Sequence, residues 1–318
     1  MKFSTEQILA LRPQLIRPQP SLLPVDVLHE LEAADSYGNV AQVTTVLLRG
    51  SECSFRCTMC DLWKSTHLGA TPIGNLPAQI QAAMAMPRPS SELGATRWIK
   101  LYNASNFFAP YNVPTADLPA IAELVQDYDR VIVENHPRLV STKIAGFAEY
   151  LSGRLEVAMG LETVEPSVLR NLNKQMTVDD VRRAIDDLTR QGIDVRLFVL
   201  LRPPGLSEAA GIEWCLASIE AARNWGARHV SIIPVRGGNG AMEQLQAEGL
   251  FEPPLASSLE QVLSESVAKS TMVVSADLWE WQRLRGLCSH CSQHRLQRMK
   301  HMNLTQSVVS PVACFCST

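Results

Sequence analysis

From residue 40 to residue 235, short apolar and β-branched runs alternate with longer stretches whose apolar positions recur every three or four residues. The β-type runs are VTTVLLR (43–49), RWIKLYN (97–103), RVIVE (130–134), LEVAMGLE (155–162), DVRLFVL (194–200) and HVSIIPV (229–235). Helices are predicted near 76–86, 116–127, 141–151, 177–191 and 207–226. The fourth is the clearest. Thr177 is placed to cap it with Asp180 three residues on, Val178, Val181, Ile185 and Leu188 share one face, and Gly192 ends it. Strands separated by helices predict a parallel sheet with right-handed crossovers. Six such units are too few for a closed eight-unit barrel, and they fit a partial barrel or an open doubly wound sheet. Either arrangement gathers its chemistry at the C-terminal ends of the strands.

Polar features sit where that rule places a site. A cysteine-rich loop follows the first run, YNASNFF the second, ENHPR the third, GLET the fourth and RPPG the fifth. After residue 236 the pattern weakens to RGGNGAMEQL, a further helical stretch and the short run TMVVSADLW. From Trp281 onward the chain is rich in Cys, His and Arg and has little to bury, so it reads as a separate element held by metal. Residues 1–39 are expected to form a helical extension, 40–250 the core, and 251–318 a C-terminal extension.

Composition narrows the class. With 318 residues, 46% of them hydrophobic, the chain can bury a sizeable core. No apolar run approaches the roughly 20 residues of a membrane span. Residues 1–20 carry Lys2, Arg12 and Arg17, broken by three prolines, and do not read as a signal peptide. The expectation is a soluble, cytoplasmic protein with no membrane partner. Charge is uneven: the net −3 of the chain conceals a last segment with five cations and no acidic residue after Glu280.

Eight cysteines in such a chain point to metal or catalysis rather than disulfides. Cys215 lies in an apolar helical pattern and reads as a buried small hydrophobe. Cys53, Cys57 and Cys60 form C-x3-C-x2-C, three soft ligands on one short loop. Structural zinc sites and iron–sulfur clusters usually take four protein ligands, so three leave one metal corner open. His67 is the plain alternative as a fourth ligand. Cys288, Cys291, Cys314 and Cys316 form C-x2-C-x22-C-x-C, four thiols that suit a closed site holding zinc or an additional 4Fe–4S cluster. His290, His294 and His301 read there as polar or phosphate-facing residues. Arg295, Arg298 and Lys300, in RLQRMKHMNLTQ, mark either a solvated helix face or a nucleic-acid contact.

The C-x3-C-x2-C loop after the first strand resembles that of the radical S-adenosylmethionine superfamily, and VAMGLETVEPSVLRNLNKQMTVDDV (157–181) resembles that family's fourth-strand segment. The resemblance spans residues 40–250. It implies a partial (β/α)6 TIM-like barrel of the α/β class and a 4Fe–4S cluster on Cys53, Cys57 and Cys60, with S-adenosylmethionine completing the open iron. Met59 stands where the family often has an aromatic residue. Glu162 would reach the cofactor ribose. YNASNFF stands where the family has a Gly-Gly-Glu stretch, so Asn103 or Ser105 would hold the methionine amino group. Arg202 would pair with the methionine carboxylate, with Lys100 and Arg138 competing for that part. The implied activity is reductive cleavage of S-adenosylmethionine to a 5′-deoxyadenosyl radical that takes a hydrogen atom from a substrate. The electron would come from an external reductant of the flavodoxin or ferredoxin type. GLETVEPSVL…NKQMT, LLRPP and MNLTQ are further similar to the archaeosine-synthase and elongator-type branch, which implies tRNA or nucleoside modification and tRNA contact through the basic C-terminal segment. A small-metabolite radical enzyme and a non-catalytic zinc-bound nucleic-acid-binding protein are the alternatives. No residue is singled out as catalytic.

Overall fold

The computed structural model describes residues 2–87, 96–269 and 271–314. Eight strands form one curled sheet in chain order: β1 (Asp26–Ala33), β2 (Val40–Leu47), β3 (Thr96–Tyr102), β4 (Arg130–Glu134), β5 (Arg154–Glu162), β6 (Asp194–Leu201), β7 (His229–Pro234) and β8 (Val273–Ala276). All neighbours pair in parallel except β1, which runs antiparallel to β2. The six predicted runs are β2 to β7, so the partial barrel is present, widened by one strand at each edge. Among the described residues no helix is long and apolar enough to cross a membrane.

Helices α1 (Thr5–Leu11), α2 (Asn75–Met84), α3 (Leu118–Leu124), α4 (Thr142–Glu149), α5 (Pro166–Asn171), α6 (Val178–Arg190), α7 (Glu208–Asn224), α8 (Ala241–Ala247), α9 (Ala256–Lys269) and α10 (Ser292–Thr305) complete the architecture. The helix predicted at 177–191 is α6. Thr177 caps it by accepting from the Asp180 N–H, and Val181, Ile185 and Leu188 are buried. Cys215 is buried on α7, as expected.

Alternation along the strands builds two different cores. The outward set, including Ile99, Leu101, Val131, Val133, Val157, Leu161, Val195 and Leu197, joins the helices in a large apolar cluster. The inward set is mixed. Ala41, Val43, Trp98, Ile132 and Ala158 form a small apolar plug. Beside it lies a buried ion network. Glu156, fully buried, accepts from Arg130, Arg196 and Arg228, while Arg196 also reaches Glu32 and Lys100 pairs with Glu30 and Glu32. Burial works against the Glu156 carboxylate, but three guanidinium groups outweigh it and hold its pKa far below the usual range.

Two expectations are corrected. Residues 1–39 are not a helical extension: among the described ones only Thr5–Leu11 is an α-helix, and β1 supplies Glu30 and Glu32 to the ion network. The C-terminal segment is not a separate piece either, because α10 packs Met299 and Met302 into the main core beside β1, β8 and α9. Asn303 donates to and accepts from the backbone of Ala276, and Gln306 does the same with Val274, so two side-chain amides occupy the outer edge of β8.

Candidate active site and metal loops

Strand ends on the C-terminal side of the sheet carry unusual backbone. Ala104 after β3, Glu162 at the end of β5 and Arg202 after β6 all have positive φ, of 55°, 66° and 56°. For non-glycine residues this costs about 1–3 kcal/mol each and concentrates at functional sites. At β5 the pairing with β6 slips between Gly160 and Glu162, which re-aims the Glu162 side chain.

The cysteine loop lies against these ends and is anchored through its backbone. Thr58 donates its N–H to Leu172 O at 2.9 Å, and Asn173 donates its side-chain amide to Arg56 O at 2.8 Å. From the loop after β7, Asn239 donates to Thr58 O and Cys60 O. On the other flank Glu52 accepts from Arg12 and Arg17, whose guanidiniums also lie over the Trp63 ring. The N-terminal segment thus straps the loop from outside. His67 is fully buried and joins the loop by pairing with Ser51 in a β-bridge, a structural part.

Inside, Asn106 donates to Cys53 Sγ at 3.2 Å, and Phe55 stacks on His136 with centroids 3.7 Å apart. His136 Nδ1 accepts from the Arg138 N–H, so its Nε2–H donates to Lys174 O. Burial and the Lys174 charge push its pKa down to about 3 and keep the ring neutral. Lys174 pairs with Glu162 in a nearly dry position and faces Cys57 and Cys53. Gly160 makes the room, since a Cβ there would collide with both charged ends. Glu134, at the end of β4, accepts from the Ala104 N–H, and burial lifts its carboxyl to about 7.

Burial also raises the Cys57 thiol, and that of Cys60 to about 12. The thiols therefore stay protonated until a metal displaces the protons. Asn103 is fully buried with neither end of its amide bonded, and Ser105 Oγ and Asn135 Oδ1 are also without partners. Buried polar groups in this state mark a place prepared for a polar ligand. The three soft thiols and these orphaned groups fit a thiolate-bound cluster beside a polar cofactor.

The expected residues do not all converge. Cys53, Cys57, Cys60, Asn103, Ser105 and Glu162 lie at the same end of the barrel. Arg202 does not reach in: its left-handed backbone and the close approach of Gly211 turn it toward Glu208, Glu252 and Pro253 O. Lys100 is committed to the ion network. Sequence reasoning passed over Lys174, although it lies in the quoted NLNKQMT, and over Glu134, Asn106 and His136.

At the far end Cys288, Cys291 and Cys314 bring their sulfurs within 4.8 Å of one another; Cys316 lies outside the described residues. Arg295 and Arg298 are buried and pair with Glu260, while Lys300 remains exposed. The guanidiniums of Arg295 and Arg298 are therefore used within the fold.

No family model matches the chain. It is 24% identical over 295 residues to archaeosine synthase subunit beta of Methanosarcina acetivorans, covering 88% of this chain and 84% of that one. A second archaeosine synthase subunit beta, from Thermococcus kodakarensis, is 26% identical over 52% of this chain and 53% of its own. Among solved structures, Elp3 of Methanocaldococcus infernus superposes with a TM-score of 0.50 at 15% identity, covering 72% of this chain and 59% of that one. SuiB of Streptococcus suis, solved with S-adenosylmethionine bound, gives a TM-score of 0.53 at 10% identity, over 72% of this chain and 48% of its own. The chain thus spans about half to three-fifths of these two structural neighbours. Likeness at these identities shows a shared fold, and the partial barrel that the resemblance implied is the fold these neighbours have.

Proposed function

We propose that the chain is a radical S-adenosylmethionine enzyme that modifies a nucleoside, in tRNA or released from it. The observation that carries this reading is the pairing of three half-buried cysteines with the unsatisfied Asn103 and Ser105 at the ends of the parallel strands. The archaeosine synthase subunit beta relative, matched over most of its length, supports a modified nucleoside as the product class.

Cys53, Cys57 and Cys60 would hold a 4Fe–4S cluster and leave one corner for the cofactor. The chemistry such a cluster supplies is one-electron reduction of a sulfonium, which releases a carbon radical able to take hydrogen from a substrate. The protein's own part is positioning and exclusion of water. Asn103 offers both a donor and an acceptor, and Ser105 a hydroxyl, to the amino acid end of the cofactor. Glu162 accepts hydroxyl hydrogens at the ribose end while Lys174 balances its charge. Phe55 stacked on a neutral His136 gives a flat apolar wall, which suits a reaction that water must not reach. Arg202 has no part, because its neighbours use its guanidinium. A flavodoxin- or ferredoxin-type protein would supply the electron.

Anaerobic reconstitution with iron and sulfide, then dithionite and S-adenosylmethionine, should yield 5′-deoxyadenosine. Cys53→Ala should abolish it, and unmodified tRNA or its nucleoside should raise it. Uptake of zinc alone with no deoxyadenosine would refute the reading.

A further inference from the structure

Residues 52–60 belong to no helix or strand, so their carbonyls have no ladder to join and need partners elsewhere. Asparagine side chains meet four of them, those of Glu52, Arg56, Thr58 and Cys60. Asn112 donates its amide to Glu52 O at 3.0 Å and to Ser51 O at 3.2 Å. Asn173 reaches Arg56 O at 2.8 Å, and Asn239 reaches Thr58 O at 2.5 Å and Cys60 O at 3.2 Å. Asn106 meets the sulfur of Cys53 at 3.2 Å. All four side chains are buried, and they come from three separate places: the loop after β3, the end of α5 and the loop after β7.

We propose that Asn106, Asn112, Asn173 and Asn239 form a neutral cradle that sets the cysteine loop in its metal-binding shape before metal arrives, and that Asn106 also tunes the electron affinity of the iron–sulfur centre that Cys53 would ligate. The second half rests on the reading of Cys53, Cys57 and Cys60 as cluster ligands; the first does not.

Each asparagine suits its place. Asn173 has a φ of 52°, a left-handed backbone that Asn adopts more readily than other non-glycine residues. Asn239 stands between Gly238 and Gly240, with φ of 127° and 92°, and its Oδ1 accepts from the Met242 N–H at 2.9 Å. Its amide is thus held at both ends. Carbonyl oxygens only accept, which fixes the donor end of every amide that meets one. An amide carries no charge and does not titrate, so the cradle holds the loop in the same way with the thiols protonated or bound to metal.

Two effects separate. The bonds to carbonyls act on shape, because a loop already ordered loses less conformational entropy when it binds. The bond to Cys53 acts on charge. An N–H on sulfur favours the state with more electron density there, and hydrogen bonds to the sulfurs help to set the reduction potential of a cluster. These are positioning residues, since all four act through the loop or its sulfur.

Hydrogen exchange of the metal-free protein tests the cradle without any cluster. In the wild type the Thr58 and Cys60 amides, which donate to Leu172 O and Cys57 O, should be protected. In Asn239→Ala they should exchange about tenfold faster or more while β5 keeps its protection. After anaerobic reconstitution the same variant should hold iron about 10–100-fold more weakly against a chelator. Asn106→Leu should give a cluster reduced at a lower potential than that of the wild type, followed by its electron-spin signal. Asn112→Ala, whose amide touches no sulfur, should leave that potential where it is. Free exchange of the wild-type loop, or unaltered protection in Asn239→Ala, would overturn the cradle. Equal potentials in Asn106→Leu and the wild type would overturn the tuning. Should Asn239→Ala fail to fold, Asn173→Gly removes an amide, keeps the left-handed backbone and makes the same comparison. A wild type that takes up no iron would refute the cluster reading, and the tuning with it, while the exchange comparison still decides the cradle.

Discussion

Lys174 is the most informative single residue to change. It and Glu162 keep only 10% and 6% of their side chains exposed, and the cation also faces the Cys57 and Cys53 sulfurs. Lys174→Met keeps most of the volume and removes the charge, so the loss reports electrostatics rather than a cavity. Stripping one partner from a buried pair costs about 3–5 kcal/mol, because the other charge remains without compensation. At roughly 2 °C per kcal/mol for a chain of this size, the thermal midpoint of the metal-free protein should fall by about 6–10 °C. Adding Glu162→Gln should recover most of that, with a coupling of about 2–3 kcal/mol in the cycle. Burial lowers the Lys174 pKa, but the Glu162 carboxylate outweighs it and raises the net value. The lysine's contribution is therefore complete below its unfolded pKa and is lost only as pH rises through the higher folded value. The deficit of Lys174→Met should consequently be constant between about pH 6 and 9, well below the ordinary lysine pKa. A loss under about 1 kcal/mol, or additivity of the two substitutions within about 0.5 kcal/mol, would refute the argument.

Gly160→Ala should displace the same pair, lower the melting midpoint and reduce iron uptake by the cysteine loop, as measured by metal analysis after reconstitution. Glu134 is held up to about 7 by burial, so its folded form binds a proton that the unfolded chain releases near pH 4.5. Stability should fall as pH rises from about 4.5 to 7, and Glu134→Gln should remove that slope and gain about 2–3 kcal/mol at pH 8 in urea titrations. Asn103→Ala removes two orphaned polar atoms, so it should change stability by less than about 1 kcal/mol while weakening S-adenosylmethionine binding about tenfold by calorimetry. Glu156→Gln leaves three arginines short of one charge and should cost about 3–5 kcal/mol, with no change in the metal content of either cysteine set.

The parallel strands were legible because their outward faces are uniformly apolar and their lengths ordinary, and Cys53, Cys57 and Cys60 because metal ligands on one loop need no distant partner. β1 was not legible. DVLHELEA carries Glu30 and the half-buried Glu32 on one face, and the partner that makes Glu32 tolerable is Arg196, 164 positions away. The inward charges Lys100, Arg130, Glu156 and Arg196 were visible inside apolar runs, and their place on one alternating face with Trp98, Ile132 and Ala158 was the available signal for a polar barrel interior. Arg295 and Arg298 were ambiguous for the same reason. A cation's exposure depends on whether a carboxylate such as Glu260 meets it, and local sequence does not record that. Arg202 followed its strand to the right end of the barrel and was then turned away by one left-handed residue.

The amides of Asn303 and Gln306 on β8 have a consequence for the protein in the cell. An open strand edge is a template for another chain, and here two side chains stand where a ninth strand would pair. That cover is only as permanent as the seating of α10. Were that helix to come loose, Val274 and Ala276 would present their N–H and C=O groups to solvent, and the first symptom would be intermolecular strand pairing rather than unfolding. A protein damaged at its tail would then disappear into aggregates with its N-terminal cysteine loop still intact.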